Sequence, residues 1–136
     1  MNNLHNKEVF IFAAGSIKNN IEYVQYRFNS PALLPINSIN LASLLLDFYL
    51  TNHKDWKINF VINENDIDDI SNELKKYLNK IKIISITDTK GINESIKKVF
   101  SNVNSNIDCI VNLVTTVPTS IPEKNQVFLS KDLFTN

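Results

Sequence analysis

The sequence predicts an α/β fold, a three-layer sandwich in which a mostly parallel sheet lies between two layers of helices. Short apolar segments typical of buried strands occupy residues 8–13, 57–62, 81–86 and 108–114, and a shorter one is expected at 126–129. Segments with apolar residues at helical spacing separate the first four strands. Strands that alternate with helices form parallel sheets with right-handed crossovers, and we expect the strand order 3-2-1-4.

Three helices are expected between these strands. Asn37 or Ser38 is expected to cap the first, because short polar side chains accept hydrogen bonds from the first helical amides. The second is expected to begin at a cap formed by Asp66 and to run to about Leu78, and the third spans about 93–101. The apolar side chains expected to be buried are Leu41, Leu44, Leu45, Phe48, Ile67, Ile70, Leu74, Leu78, Ile92, Ile96, Val99 and Phe100.

Length and composition exclude several classes of function. The 136 residues fit one domain, and 14 acidic against 14 basic residues give no net charge, which argues against a nucleic-acid partner. No apolar segment approaches the roughly 20 residues that span a bilayer, and the first residues show no signal-peptide pattern, so we expect a cytoplasmic protein without a membrane partner. Cys109 lies in an apolar segment, as expected of a small buried residue rather than a reactive thiol.

A candidate ligand site follows the first strand. The residues 13–16, Ala-Ala-Gly-Ser, leave the backbone bare, so that an anionic ligand could approach the amides closely. In open parallel sheets, ligands bind outside the carboxyl ends of the strands at a switch point, here between the first and fourth strands. The other strand-end loops, 63–65, 87–91 and 115–119, are expected at the same edge.

A second motif, Ala-Leu-Leu-Pro-Ile at 32–36, precedes the first helix. Together with Ala-Ala-Gly at 13–15 and the order of the later elements, it resembles the N-terminal portion of sugar-nucleotide-type nucleotidyltransferases. These are Rossmann-like domains related to the nucleotide-binding half of type-A glycosyltransferases. Their usual pattern is Ala-Ala-Gly-x-Gly-x-Arg followed by Pro-Lys-x-Leu-Leu-Pro-Ile. The resemblance covers nearly the whole chain but only the first half of such a domain, so we expect a continuation beyond Asn136.

The resemblance implies transfer of a nucleotidyl group from a nucleoside triphosphate to a sugar or alcohol phosphate, with Mg²⁺ as the cofactor, in bacterial surface-polysaccharide (capsule) or sugar-nucleotide biosynthesis. Plainer interpretations stay open: Gly15 as an ordinary turn after a strand, Gly91 as a turn that begins a helix, and Asn93 as a helix cap. The positions implied to contact the nucleoside triphosphate or nucleotide-sugar are Ala13, Ala14, Gly15, Ser16, Gly91, Asn93 and Thr116.

The chain departs from the family pattern at positions that carry catalytic charge. Ile17 replaces the second glycine of the loop, and the loop arginine is absent. Lys18 and Arg27 are therefore the candidates to supply positive charge in catalysis. Ser-Pro at 30–31 stands where the family has Pro-Lys.

The metal-binding aspartate that the family places after the fourth strand is also absent. The chain reads Asn-Leu-Val-Thr-Thr-Val-Pro at 112–118 instead. Asp88 is then the candidate metal ligand and Glu64 the next, although each is also interpretable as a solvated loop acid or a helix cap.

Two functions of different classes follow from these departures. The first is a nucleotidyltransferase whose charges come from substitute residues. The second is a catalytically degenerate nucleotide-binding or scaffold module that acts through a C-terminal partner domain, or through self-association that covers an open sheet edge.

Overall fold

The computed structural model describes residues 7–16, 27–87, 91–101 and 108–116, and the backbone of 127–128. The strands are β1 Lys7–Ala13, β2 Pro35–Ile36, β3 Ile39–Asn40, β4 Lys57–Asn63, β5 Lys82–Ile86, β6 Asp108–Leu113 and β7 Val127–Phe128. The α-helices are α1 Leu41–Asn52, α2 Ile67–Glu73 and α3 Ile92–Phe100, and short 3-10 turns span Pro31–Leu33, Glu64–Asp66 and Lys75–Tyr77.

The main sheet has the order β5-β4-β1-β6-β7, and every neighbouring pair runs parallel. Strands β2 and β3 form a separate antiparallel ribbon. The predicted α/β class with a mostly parallel sheet is therefore confirmed. The observed order differs from the predicted four-strand order 3-2-1-4, because β7 adds a fifth strand beside β6 and the ribbon shifts the numbering of the later strands. Counted by themselves, the four long strands stand third, second, first and fourth across the sheet.

Strand β1 lies at the centre of the sheet and is buried on both faces. Val9 and Ile11 pack into an apolar cluster with side chains of α1 and α2, whereas Phe10 and Phe12 pack into a second cluster with side chains of α3. Each such side chain contributes about 1.5–3 kcal/mol when it is fully buried. Helices therefore cover both faces of the sheet. Within the described ranges, no helix is long and apolar enough to cross a membrane.

The cap of the first helix differs from the prediction. Asn40 precedes α1 and its Oδ1 accepts a hydrogen bond from the backbone N–H of Ser43 at 2.8 Å. Asn37 instead occupies the turn between β2 and β3 with a φ of 58°, a left-handed conformation that asparagine tolerates. The prediction of Asn37 or Ser38 was wrong because the ribbon takes up these residues and delays the helix.

The predicted second helix, 66–78, is divided into shorter elements. Asp66 is buried but its side chain makes no capping hydrogen bond, and α2 ends at Glu73. The 3-10 turn that follows buries Tyr77, whose hydroxyl donates a hydrogen bond to Asp47 Oδ1 at 2.6 Å. This hydrogen bond connects the 3-10 turn to α1.

Two isoleucines predicted to be buried are exposed. Ile67 is 38% exposed and Ile92 is 41% exposed, and each occupies the first position of its helix. In α3, Val99 is buried as predicted, and Ser95 is buried as well. Ile70 and Ser95, three residues further on, are buried, so burial begins at the end of the first turn of each helix.

A small aromatic cluster lies after the end of α1. The rings of His53 and Trp56 stack with centroids 3.8 Å apart and 22° between their planes. Lys7 Nζ lies 5.1 Å from the centroid of the Trp56 ring. Burial lowers the pKa of His53 from its usual value of 6.5, Asp55 opposes that shift and Lys7 adds to it.

We expect His53 to make the fold less stable in mild acid. Because its folded pKa is lowered, the unfolded chain binds the proton more readily, and the free energy of unfolding should fall as the pH drops from about 8 through 6.5 to about 5.5. Urea unfolding followed by circular dichroism at each pH measures this. The variant His53→Gln cannot titrate there, so the difference between wild type and variant separates His53 from the carboxylates. A difference that is constant with pH would contradict the prediction.

Candidate functional site

A cleft of about 550 Å³ opens at the carboxyl edge of the sheet. The end of β1 and the residues after it (12–16) line one side, and the end of β6 and its following turn (113–115) line another. Asn63 at the end of β4, Pro31, and the first turn of α3 complete the lining. This volume lies within the range of small-molecule sites, about 300–1,000 Å³.

The backbone after β1 is open to the cleft. Ala13 is buried, Ala14 is half-buried, and Gly15 and Ser16 are exposed. A Cβ atom placed on Gly15 would meet no atom within 4 Å, and Gly15 does not adopt a positive φ. The fold therefore does not require glycine at this position, and a ligand could approach the backbone here.

The turn before α3 does require glycine. Gly91 adopts φ 158° and ψ −178°, a region that other residues rarely occupy. Its carbonyl accepts hydrogen bonds from the backbone N–H of Ser95 at 3.1 Å and from Ser95 Oγ at 3.2 Å. Gly91, Ile92 and Ser95 line the cleft, whereas Asn93 is exposed and is not among the lining residues.

The turn after β6 is fixed from behind by a buried asparagine. Asn112 Oδ1 accepts a hydrogen bond from the hydroxyl of Tyr49 in α1 at 2.5 Å. Asn112 Nδ2 donates to the carbonyl of Leu113 at 2.8 Å and to that of Thr116 at 2.7 Å. Burial strongly raises the pKa of Tyr49, so this hydroxyl stays protonated and acts as the donor.

Thr116 belongs to this turn but does not line the cleft, whereas Thr115 does. The Oγ1 atom of Thr116 is buried and has no hydrogen-bond partner among the described residues. The hydrogen bonds that Thr116 makes in the turn are therefore those of its backbone.

None of the charged residues predicted for the site is among the described residues that line the cleft. Arg27 is exposed, with its guanidinium carbon 4.8 Å from the centroid of the Phe28 ring, and it is not among the lining residues. Lys18 and Asp88 lie outside the described residues. Glu64 is exposed in the turn after β4 and does not line the cleft.

The described lining carries no charged side chain. Its polar atoms come from the backbone, from hydroxyls and from the Asn63 amide. In the described part of the chain, no group of three or more His, Cys, Asp or Glu side chains could hold a metal ion. These residues by themselves therefore do not fit Mg²⁺.

Cys109 is half-buried in β6. Burial, with smaller contributions from Glu8 and Asp108, raises the pKa of its thiol to about 11. The thiol is therefore neutral at physiological pH and a poor nucleophile.

Asn63, Ile92 and Thr115 line the cleft but were not among the residues predicted to contact a nucleotide. A signal was available for Asn63 and Thr115, because each is a polar residue at or just after the end of a buried strand. No such signal marks Ile92 as a cleft residue, because an apolar residue at helical spacing predicts burial in the core.

No protein-family model matches the chain, and no curated protein matches it. The resemblance to nucleotidyltransferases therefore stays a prediction from the two sequence motifs.

The two glycines of the cleft should respond differently to alanine. Gly91→Ala should lower the free energy of unfolding by about 1–3 kcal/mol, because φ 158° is strained for a residue with a Cβ. Gly15→Ala should change it by less than about 0.5 kcal/mol, because the new methyl group meets open space. Urea unfolding of both variants measures this, and equal losses would show that the glycine backbone conformations are not as described.

Proposed function

We propose that this chain is a nucleotide-binding domain of the nucleotidyltransferase type, Rossmann-like in fold, with the nucleotide held in the cleft between β1 and β6. The position of the cleft is the observation that supports this. It lies outside the carboxyl ends of two neighbouring parallel strands, where open α/β sheets bind ligands. Half-buried Ala14 and exposed Gly15 offer backbone on one side, and the first turn of α3 lies on the other.

In the proposed reaction, an oxygen of a sugar phosphate or alcohol phosphate attacks the α-phosphorus of a nucleoside triphosphate. The bond from that phosphorus to the bridging oxygen breaks, and pyrophosphate leaves. Backbone amides after β1 would hold the phosphates, and Lys18 and Arg27 are the candidates to supply positive charge. No step is assigned to Mg²⁺, because the described lining does not fit that ion. The resemblance would place the product in surface-polysaccharide or sugar-nucleotide biosynthesis.

A second function is favoured by the uncharged lining. Nucleotidyl transfer depends on cationic groups and metal ions around the phosphates, and the described lining offers neither. The second candidate is therefore a catalytically degenerate module that binds a nucleotide and acts through a partner domain.

Thermal unfolding with each nucleoside triphosphate and nucleotide-sugar tests the shared step, nucleotide binding. A ligand that binds only the folded state should add about 2.7 kcal/mol of stability at 100 times its Kd. Gly15→Val should abolish this shift, because its side chain would project where the phosphates approach. The unliganded variant should unfold like the wild type, since a Cβ at Gly15 meets no atom within 4 Å. If no nucleotide shifts the folded wild type, the proposal fails.

Pyrophosphate release separates the two candidates. The nucleotide that gives the shift is incubated with Mg²⁺ and a panel of sugar phosphates and alcohol phosphates. Pyrophosphate formed by the wild type and lost in Gly15→Val would favour the transferase. Binding without any pyrophosphate would favour the degenerate module.

A further inference from the structure

A series of buried and partly buried hydrogen bonds connects α1 with the wall of the cleft. It runs from the Tyr49 hydroxyl to Asn112 Oδ1, and from Asn112 Nδ2 to the carbonyls of Leu113 and Thr116. Both Tyr49 and Asn112 are 0% exposed. The orientation of the amide follows from its partners, because only Nδ2 can donate to two carbonyl oxygens and only Oδ1 can accept from the hydroxyl.

The turn held by these hydrogen bonds forms part of the cleft. The N–H of Thr116 donates to the carbonyl of Leu113 at 2.9 Å, and the N–H of Val114 donates to the carbonyl of Phe12 at 3.0 Å. Leu113, Val114 and Thr115 line the cleft, whereas Asn112 and Tyr49 do not. Tyr49 and Asn112 therefore act on a ligand indirectly, and the turn is the backbone to which Asn112 is hydrogen-bonded.

We propose that Tyr49 and Asn112 are positioning residues, which fix the turn after β6 so that the ligand affinity of the cleft depends on the packing of α1. A mainly structural pair would only add stability, and an apolar pair of similar shape could replace it. A positioning pair cannot be replaced in that way, because an apolar side chain at position 112 cannot donate to the Thr116 carbonyl. The ligand part of this inference rests on the proposed function, whereas the order of the turn can be measured without a ligand.

Tyr49→Phe is the first variant, and Tyr77→Phe is its matched control. Both tyrosines are buried and both donate a hydroxyl hydrogen bond, but Tyr77 donates to Asp47 on α1 instead of to a strand end. Tyr49→Phe should speed hydrogen exchange of the Val114 and Thr116 amides by about tenfold, the effect expected of one lost hydrogen bond. Tyr77→Phe should leave these two amides within about twofold of wild type.

The double variant Tyr49→Phe with Asn112→Leu distinguishes positioning from stability. Removing the hydroxyl and the amide together leaves no unpaired Oδ1, so the urea midpoint should recover part of what Tyr49→Phe loses, although the Thr116 carbonyl then lacks its Asn112 donor. Hydrogen exchange at the Val114 and Thr116 amides should nevertheless stay fast. The nucleotide found by thermal unfolding should bind both Tyr49 variants about tenfold more weakly than it binds Tyr77→Phe.

If amide exchange in the double variant returns to the wild-type rate together with stability, the inference is wrong. Equal exchange rates at these amides in Tyr49→Phe and Tyr77→Phe would also overturn it. If wild type binds no nucleotide, the proposed function fails, and the exchange rates still decide whether the two residues position the turn.

Discussion

The burial of β1 on both faces is the constraint from which the rest of the structure follows. Residues from Val9 to Ala13 are at most 4% exposed, and the strand pairs in parallel with β4 on one side and β6 on the other. A strand in this position needs apolar cover above and below. The helices supply that cover, α1 and α2 on one face and α3 on the other.

The cleft is a consequence of where those helices lie. The connection from β1 to β4 passes through α1 on one face, whereas the connection from β5 to β6 passes through α3 on the opposite face. The helices of these two connections therefore lie on opposite faces of the sheet, and the carboxyl ends of β1 and β6 border the cleft between them. Small residues after β1 widen this space, and the turn after β6 closes its far side.

The sequence was informative where the physical signal is local. Continuous apolar segments identify the long strands, and Ala13 to Ser16 and Gly91 were placed at the cleft because chain order fixes which strand ends meet. Asn37 could not be separated from Asn40 as the cap, since either side chain can cap a helix and only the ribbon decides. Asn93 illustrates a second limit. The predicted region does line the cleft, but it does so through Ile92 and Ser95 and not through Asn93.

Two asparagines are buried in the sheet, where their amides cost desolvation energy. Asn59 in β4 donates to Glu8 Oε1 at 2.9 Å, at the amino side of the sheet, while Asn112 in β6 holds the turn at the carboxyl side. Each lies at a strand position where an apolar residue would avoid the cost of removing an amide from water. Hydrogen bonds offset that cost but add little net stability. Asn112 also ties two backbone carbonyls of the turn beside the cleft, and, if the proposed function holds, a site whose described lining has no charge would use such backbone groups for recognition.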